Sequence, residues 1–139
     1  MKKGVKISGL SLVMMFMGLG LAWAGDGQID IATLPYTISS SGSYIVTKDL
    51  TLATLDTNGI TISAHNVTLD LNGHTLTGPG KAAGTTGSGI LVSGPSYNLA
   101  IRNGTLRDWR LDGVGAGSPD NARNSQFEDL RCYNNGADG

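Results

Sequence analysis

GITISAHNVTLDLNGHTLTG, residues 59–78, is the stretch that decides the fold. It opens on a glycine and runs through a short alternating strand, Ile60-Thr61-Ile62. A polar corner ends at Asn66. A second alternating strand, Val67-Thr68-Leu69-Asp70-Leu71, then turns at Asn72-Gly73. Apolar and polar residues in alternation mark a strand with one buried face, and Gly and Asn best tolerate the left-handed backbone of tight corners. The unit returns twice. Gly89-Ile90-Leu91-Val92 leads to Asn98-Leu99-Ala100-Ile101 and Asn103-Gly104, and Gly113-Val114 leads to Asn124-Ser125-Gln126-Phe127 and Asn135-Gly136. The opening glycines are 30 and then 24 residues apart, the longer interval reflecting the loop GPGKAAGTTGSG at 78–89.

A repeat of roughly 20 to 30 residues built from short strands predicts a solenoid, because no single unit can bury its apolar face alone. Stacked coils would pair their strands in parallel at about 4.8 Å. Ile60, Ile62, Val67, Leu69, Ile90, Val92, Leu99 and Ile101 would then line up inward in columns. The LxxLxLxxN frame of leucine-rich repeats and the GGxGxD calcium nonapeptide are both absent. An antiparallel alternative stays open, since Asn72-Gly73 could join VTLDL to HTLTG as a hairpin. Recurrence of the whole unit favours an all-β parallel β-helix, a single-stranded solenoid of about three coils over residues 59–139, incomplete at its C-terminus. Residues 25–58 read as an N-terminal lead-in and capping segment.

Residues 1–24 have a different texture. Lys2, Lys3 and Lys6 precede the apolar run ISGLSLVMMFMGLGL, and Ala22-Trp23-Ala24 places small residues at −3 and −1 before Gly25. This is the tripartite pattern of a cleavable Sec-type signal peptide. The apolar run, about 15 residues, falls short of the roughly 20 that span a bilayer core. The expectation is an exported chain, secreted or periplasmic, with no membrane attachment after cleavage.

Loss of three lysines with that leader leaves seven basic residues against 11 acidic ones, a net charge of −4. That balance excludes a basic nucleic-acid footprint. The single cysteine, Cys132, allows neither an internal disulfide nor a paired-cysteine metal site and reads as a small buried apolar residue. His65 and His74 alone do not make a zinc site. No metal or cofactor is expected.

The run GITISAHNVTLDLNGHTLTGPG, followed by NLAIRNGTLRDW and NNGADG, resembles bacterial right-handed parallel β-helix proteins of the pectin-lyase-like superfamily. LPYTISSSGSYIVTKDLTL resembles the segment that precedes the first coil in such proteins, so the resemblance covers Leu34 to Gly139. It implies a right-handed coil and an extended polysaccharide as partner. It does not carry over a catalytic residue. The NTD, DD and GHG motifs of polygalacturonases and the DPHE motif of alginate epimerases are absent, His74 stands in Asn-Gly-His-Thr, and Arg102 and Arg107 lack the setting of a pectate lyase arginine. The reading is therefore the N-terminal part of an exported β-helix protein that binds a polysaccharide or belongs to a processing lyase, hydrolase or epimerase whose catalytic coils lie elsewhere. The alternative is a non-catalytic extracytoplasmic scaffold or adhesion module. An open last coil would also favour self-association.

The densest polar and aromatic cluster is Arg107-Asp108-Trp109-Arg110-Leu111-Asp112. A tryptophan can stack on a sugar ring, and arginine can grip a uronate carboxylate in a two-pronged fork. Arg107, Asp108, Trp109, Arg110 and Asp112 are thus the expected substrate-binding residues, against the simpler alternative of a solvated loop. Asn66, Asn98 and Asn124 recur at equivalent corners and are expected to stack as an amide ladder.

Overall fold

The computed structural model describes residues 27–118 and 120–137. The leader read at 1–24 lies outside them. The described residues form 11 strands and no helix. Strand β1 (Gln28–Ile31) comes first. The first coil is β2 (Tyr36–Ile38), β3 (Gly42–Val46) and β4 (Leu50–Thr51), and the second is β5 (Ile60–Ile62), β6 (Val67–Asp70) and β7 (Thr75–Thr77). The third is β8 (Ile90–Val92) and β9 (Leu99–Arg107), and the fourth is β10 (Val114–Ala116) and β11 (Gln126–Tyr133).

Every strand pair is parallel. One sheet has the order β10-β8-β5-β2. The other runs β1-β3-β6-β9-β7-β4, with β11 stacked on β9. The chain is a β-solenoid of about four turns, one more than the repeat predicts. The extra turn comes from the presumed lead-in: Tyr36, Thr37 and Ile38 sit in register with Ile60, Thr61 and Ile62, and Ser43 with Thr68. Its glycine and asparagine punctuation differs from that of the later units, so the first coil does not show in the repeat. The hairpin alternative fails because β6 and β7 do not pair with each other; both stack on β9.

Alternation along each strand sends side chains into columns. Tyr36, Ile60, Ile90 and Val114 align on one sheet, and Leu50, Leu76, Leu106 and Cys132 on the other. Ile60, Ile62, Leu69, Leu76, Ile90, Val92, Ile101 and Leu106 are fully buried. Burying an aliphatic side chain contributes about 1.5–3 kcal/mol, which offsets the ordering entropy of so many loops and corners.

Candidate binding flank

The coils turn on residues with positive φ. Asn66 (φ 53), Asn98 (φ 55) and Asn124 (φ 50) occupy the same corner of successive coils. The Asn98 amide donates to Asn66 Oδ1 at 2.9 Å, and the Asn124 amide donates to Asn98 Oδ1. A carboxamide both donates and accepts, so it can extend such a ladder through any number of coils.

The second corner follows a register that the repeat did not reveal. Asn103 (φ 63) is matched in the fourth coil by Asp129 (φ 50), with Leu130 over Gly104. Asn135-Gly136 does not fill that role. Arg107 pairs with Tyr133, which sets Asn134 (φ 55) over Asp108 (φ 62) and Asn135 over Trp109. Gly104 is required for contact, since an added Cβ would lie 2.3 Å from Leu71 Cβ.

The five clustered residues of 107–112 do not converge on one surface. Trp109 is fully buried and has no ring face for a sugar, which overturns its expected stacking role. Its indole Nε1 donates to the Leu76 carbonyl at 3.1 Å, and its backbone N–H donates to Asn135 Oδ1 at 3.0 Å. Glycines make the ring's berth: a Cβ added at Gly59, Gly78 or Gly89 would approach the indole to 2.7, 2.8 or 2.9 Å. Arg110 donates from Nε to the Gly84 carbonyl at 3.0 Å and from Nη1 to the Lys81 carbonyl at 3.5 Å, so its guanidinium pins the 78–89 loop. Asp112 begins the next coil, where its carbonyl accepts the Gly89 N–H at 3.0 Å. Only Arg107 and Asp108 face the flank, joined by an ion pair of 2.9 Å. The Asn134 amide also donates to the Asp108 carboxylate.

The same loop is held from the other side by Asp56. Its Oδ1 accepts the Thr85 and Thr86 N–H groups, the latter at 2.9 Å, and the Thr85 hydroxyl. These bonds, the Thr85 backbone bond foremost, lower the Asp56 pKa. The Asp49 carboxyl is lowered likewise, first by the Thr75 N–H and then by His74, whose Nδ1 lies 3.1 Å away. His65 stacks on Tyr97 with ring centroids 3.8 Å apart, and its Nδ1 is buried without a hydrogen-bond partner.

Cross-coil register assembles a different group on the outside of the β6-β9-β11 and β7-β9-β11 stacks. Asp70, Arg102 and Glu128 form one row, Thr75, Thr105 and Arg131 a second, and Thr77, Arg107 and Tyr133 a third. Arg102 Nε lies 3.1 Å from Asp70 Oδ2, with the arginine side chain 48% exposed. Tyr133 is 53% exposed. Beside them a polar groove of about 450 Å³ is lined by Gly73, Asn103, Thr105, Asp129 and Arg131. Arg131 and Tyr133 lie far from Arg107 along the chain, so the local pattern does not show the group. Aligning Asp129 with Asn103 would have found them.

Cys132 also departs from expectation. It occupies an inward column position over Leu106, yet it is exposed, because no described strand stacks over β11. Partial desolvation still raises its thiol pKa.

No protein-family model, curated protein or solved structure matches the chain.

Proposed function

We propose that this chain is the N-terminal module of an exported pectin-lyase-like β-helix protein and that it holds an extended acidic polysaccharide along the Arg107–Arg131–Tyr133 flank. The observation that carries the reading is the register that sets Tyr133 beside Arg107 and Arg131 one row away on the β7-β9-β11 stack. A linear polymer of uronates offers a carboxylate at regular intervals, and Arg107 and Arg131, on successive coils about 4.8 Å apart, offer one guanidinium each. Guanidinium forks bind planar carboxylates in two-pronged geometry, and a phenol ring supplies an apolar face with a polar tip. In a longer parent the same flank would feed the polymer to catalytic coils.

Titration calorimetry of the chain with polygalacturonate and with alginate tests this. Binding should weaken as salt rises and fall roughly tenfold in Arg107→Ala, the loss expected for a charge-assisted hydrogen bond. Absence of binding to either polymer would overturn the reading.

A second reading is a non-catalytic extracytoplasmic scaffold or adhesion module. The commitment of Trp109, Arg110 and Asp56 to internal bonds favours it, since these groups stiffen the coil and its largest loop instead of facing outward.

A further inference from the structure

The corner between β5 and β6 takes four residues, and the matching corner of the third coil, between β8 and β9, takes six. Both ends of the two corners stay in register: Ser63 follows Ile62 as Ser93 follows Val92, and Asn66 precedes Val67 as Asn98 precedes Leu99. The longer corner carries more chain than that span needs. A hollow of about 400 Å³ lies there, lined by Ser63, His65, Ser93, Gly94, Pro95 and Ser96. All six belong to the second and third coils, each of which has a coil paired on either side. The volume falls in the range of small-ligand sites, roughly 300–1,000 Å³.

The polar groups around this hollow are poorly satisfied by the chain itself. His65 Nδ1 is buried with no hydrogen-bond partner among the described residues. Leaving such an atom unpaired costs about 1–3 kcal/mol. The imidazole is nonetheless held in place, because Tyr97 stacks on it with centroids 3.8 Å apart and planes at 16°. The Ser63 and Ser93 hydroxyls reach the Ile38 and Ile62 carbonyls only at 3.4 and 3.5 Å. Each carbonyl already accepts the backbone N–H of the same serine, at 2.9 and 2.8 Å. Contacts that long are marginal hydrogen bonds, so both hydroxyls can turn to a better partner. Ser96, 2% exposed, adds a third hydroxyl.

We propose that this hollow is a binding site for a neutral sugar residue, with His65 as its main polar contact. No carboxylate, ammonium or guanidinium lines it, which selects an uncharged ligand. A sugar hydroxyl both donates and accepts, so it satisfies Nδ1 in either tautomer and pairs with serine hydroxyls in either direction. Pro95 offers an apolar wall to the C–H groups of the ring. The entrance is open at Gly94, where an added Cβ would meet no atom within 4 Å. The site lies before β6, whereas Arg107, Arg131 and Tyr133 lie beyond the next corner, at Asn103 and Asp129. The inference therefore goes beyond the acidic-polymer reading and does not rest on it.

Titration of the chain with the methyl glycosides of glucose, galactose, mannose and rhamnose, followed by NMR of the histidine and tyrosine rings, tests it. The expected result is a saturable shift of the His65 and Tyr97 rings with at least one glycoside, while His74 does not move. Added salt and Arg107→Ala should leave that binding unchanged, in contrast to polygalacturonate on the flank. His65→Phe keeps a stacked ring without its nitrogens and should weaken binding roughly tenfold, the loss of one hydrogen bond, with Tyr97 as the reporter. Tyr97→Phe preserves the stack and should stay within about threefold, whereas Tyr97→Ala should lose roughly tenfold. No saturable shift with any of the four glycosides would overturn the proposal, as would equal shifts with glycerol or full affinity in His65→Phe. Loss of the shifts in Arg107→Ala would also overturn it, because the sugar would then sit on the flank.

Discussion

The first and the last described coils are built from the same kinds of residue and differ in burial. At the N-terminal end β1 stacks on β3 of the first coil, and Ile31, Ile38, Val46, Leu50 and Leu52 are at most 5% exposed. The exposed large apolar side chain there is Ile29, on β1. At the C-terminal end the column Tyr44–Leu69–Ile101 continues into Phe127, and Leu50–Leu76–Leu106 into Cys132, but both terminal residues are exposed. An inward-pointing residue in a solenoid is buried by the next coil and not by its own. Stability in such a molecule is a sum over coils and the interfaces between them.

Substitutions can break this comparison. The largest effect should come from the middle of the stack. Trp109→Ala removes a fully buried indole wedged among three glycines and takes the indole donor from the Leu76 carbonyl, while the backbone bond to Asn135 remains. The expected cost is about 3–5 kcal/mol in urea unfolding, the usual loss for a buried large aromatic. Ile101→Ala and Phe127→Ala then compare one column at two heights. The first should cost about 2–5 kcal/mol and the second less than about 1 kcal/mol, measured at concentrations where the chain is monomeric. Equal costs would erase the distinction between the ends.

The smallest effect is local and depends on pH. The Asp56 carboxyl has a lowered pKa because it accepts the Thr85 and Thr86 N–H groups. Its contribution is therefore full above the ordinary carboxyl pKa and fades as pH falls through the lower folded value. Amide exchange of Thr85 and Thr86, corrected for intrinsic rates, should accelerate in acid while that of Ile60 and Ile90 does not. Asp56→Ala should produce the same loosening at neutral pH.

Much of the fold was legible in the sequence because glycine, asparagine and alternation leave a local trace. Ile60 to Asn72 could be placed on strands and corners by pattern alone. The first coil was hidden because Tyr36 to Thr51 lacks the same glycine and asparagine spacing, and its pairing with Ile60 and Val67 is a long-range fact. The fourth coil was misaligned for the opposite reason: Asn135-Gly136 looks like a corner, while the true corner is carried by Asp129, a residue less distinctive than asparagine. The binding candidates suffered most. Arg107 through Asp112 are neighbours in the chain, but a corner at Asp108 sends them to the flank, the core and a loop in turn. Proximity along a strand-and-corner chain says little about proximity on its surface, whereas coil register, once known, brings Arg107, Arg131 and Tyr133 together.

Native-state hydrogen exchange, resolved by residue and run on monomeric chain, tests the four-coil stack most directly. The account predicts that the amides of Ile60, Ile62, Leu71, Ile90 and Leu106 exchange only by global unfolding, and that protection falls off through β11 from Gln126 to Tyr133. Protection in β11 equal to that of β6 and β9, or an unprotected first coil at Tyr36 to Val46, would contradict it.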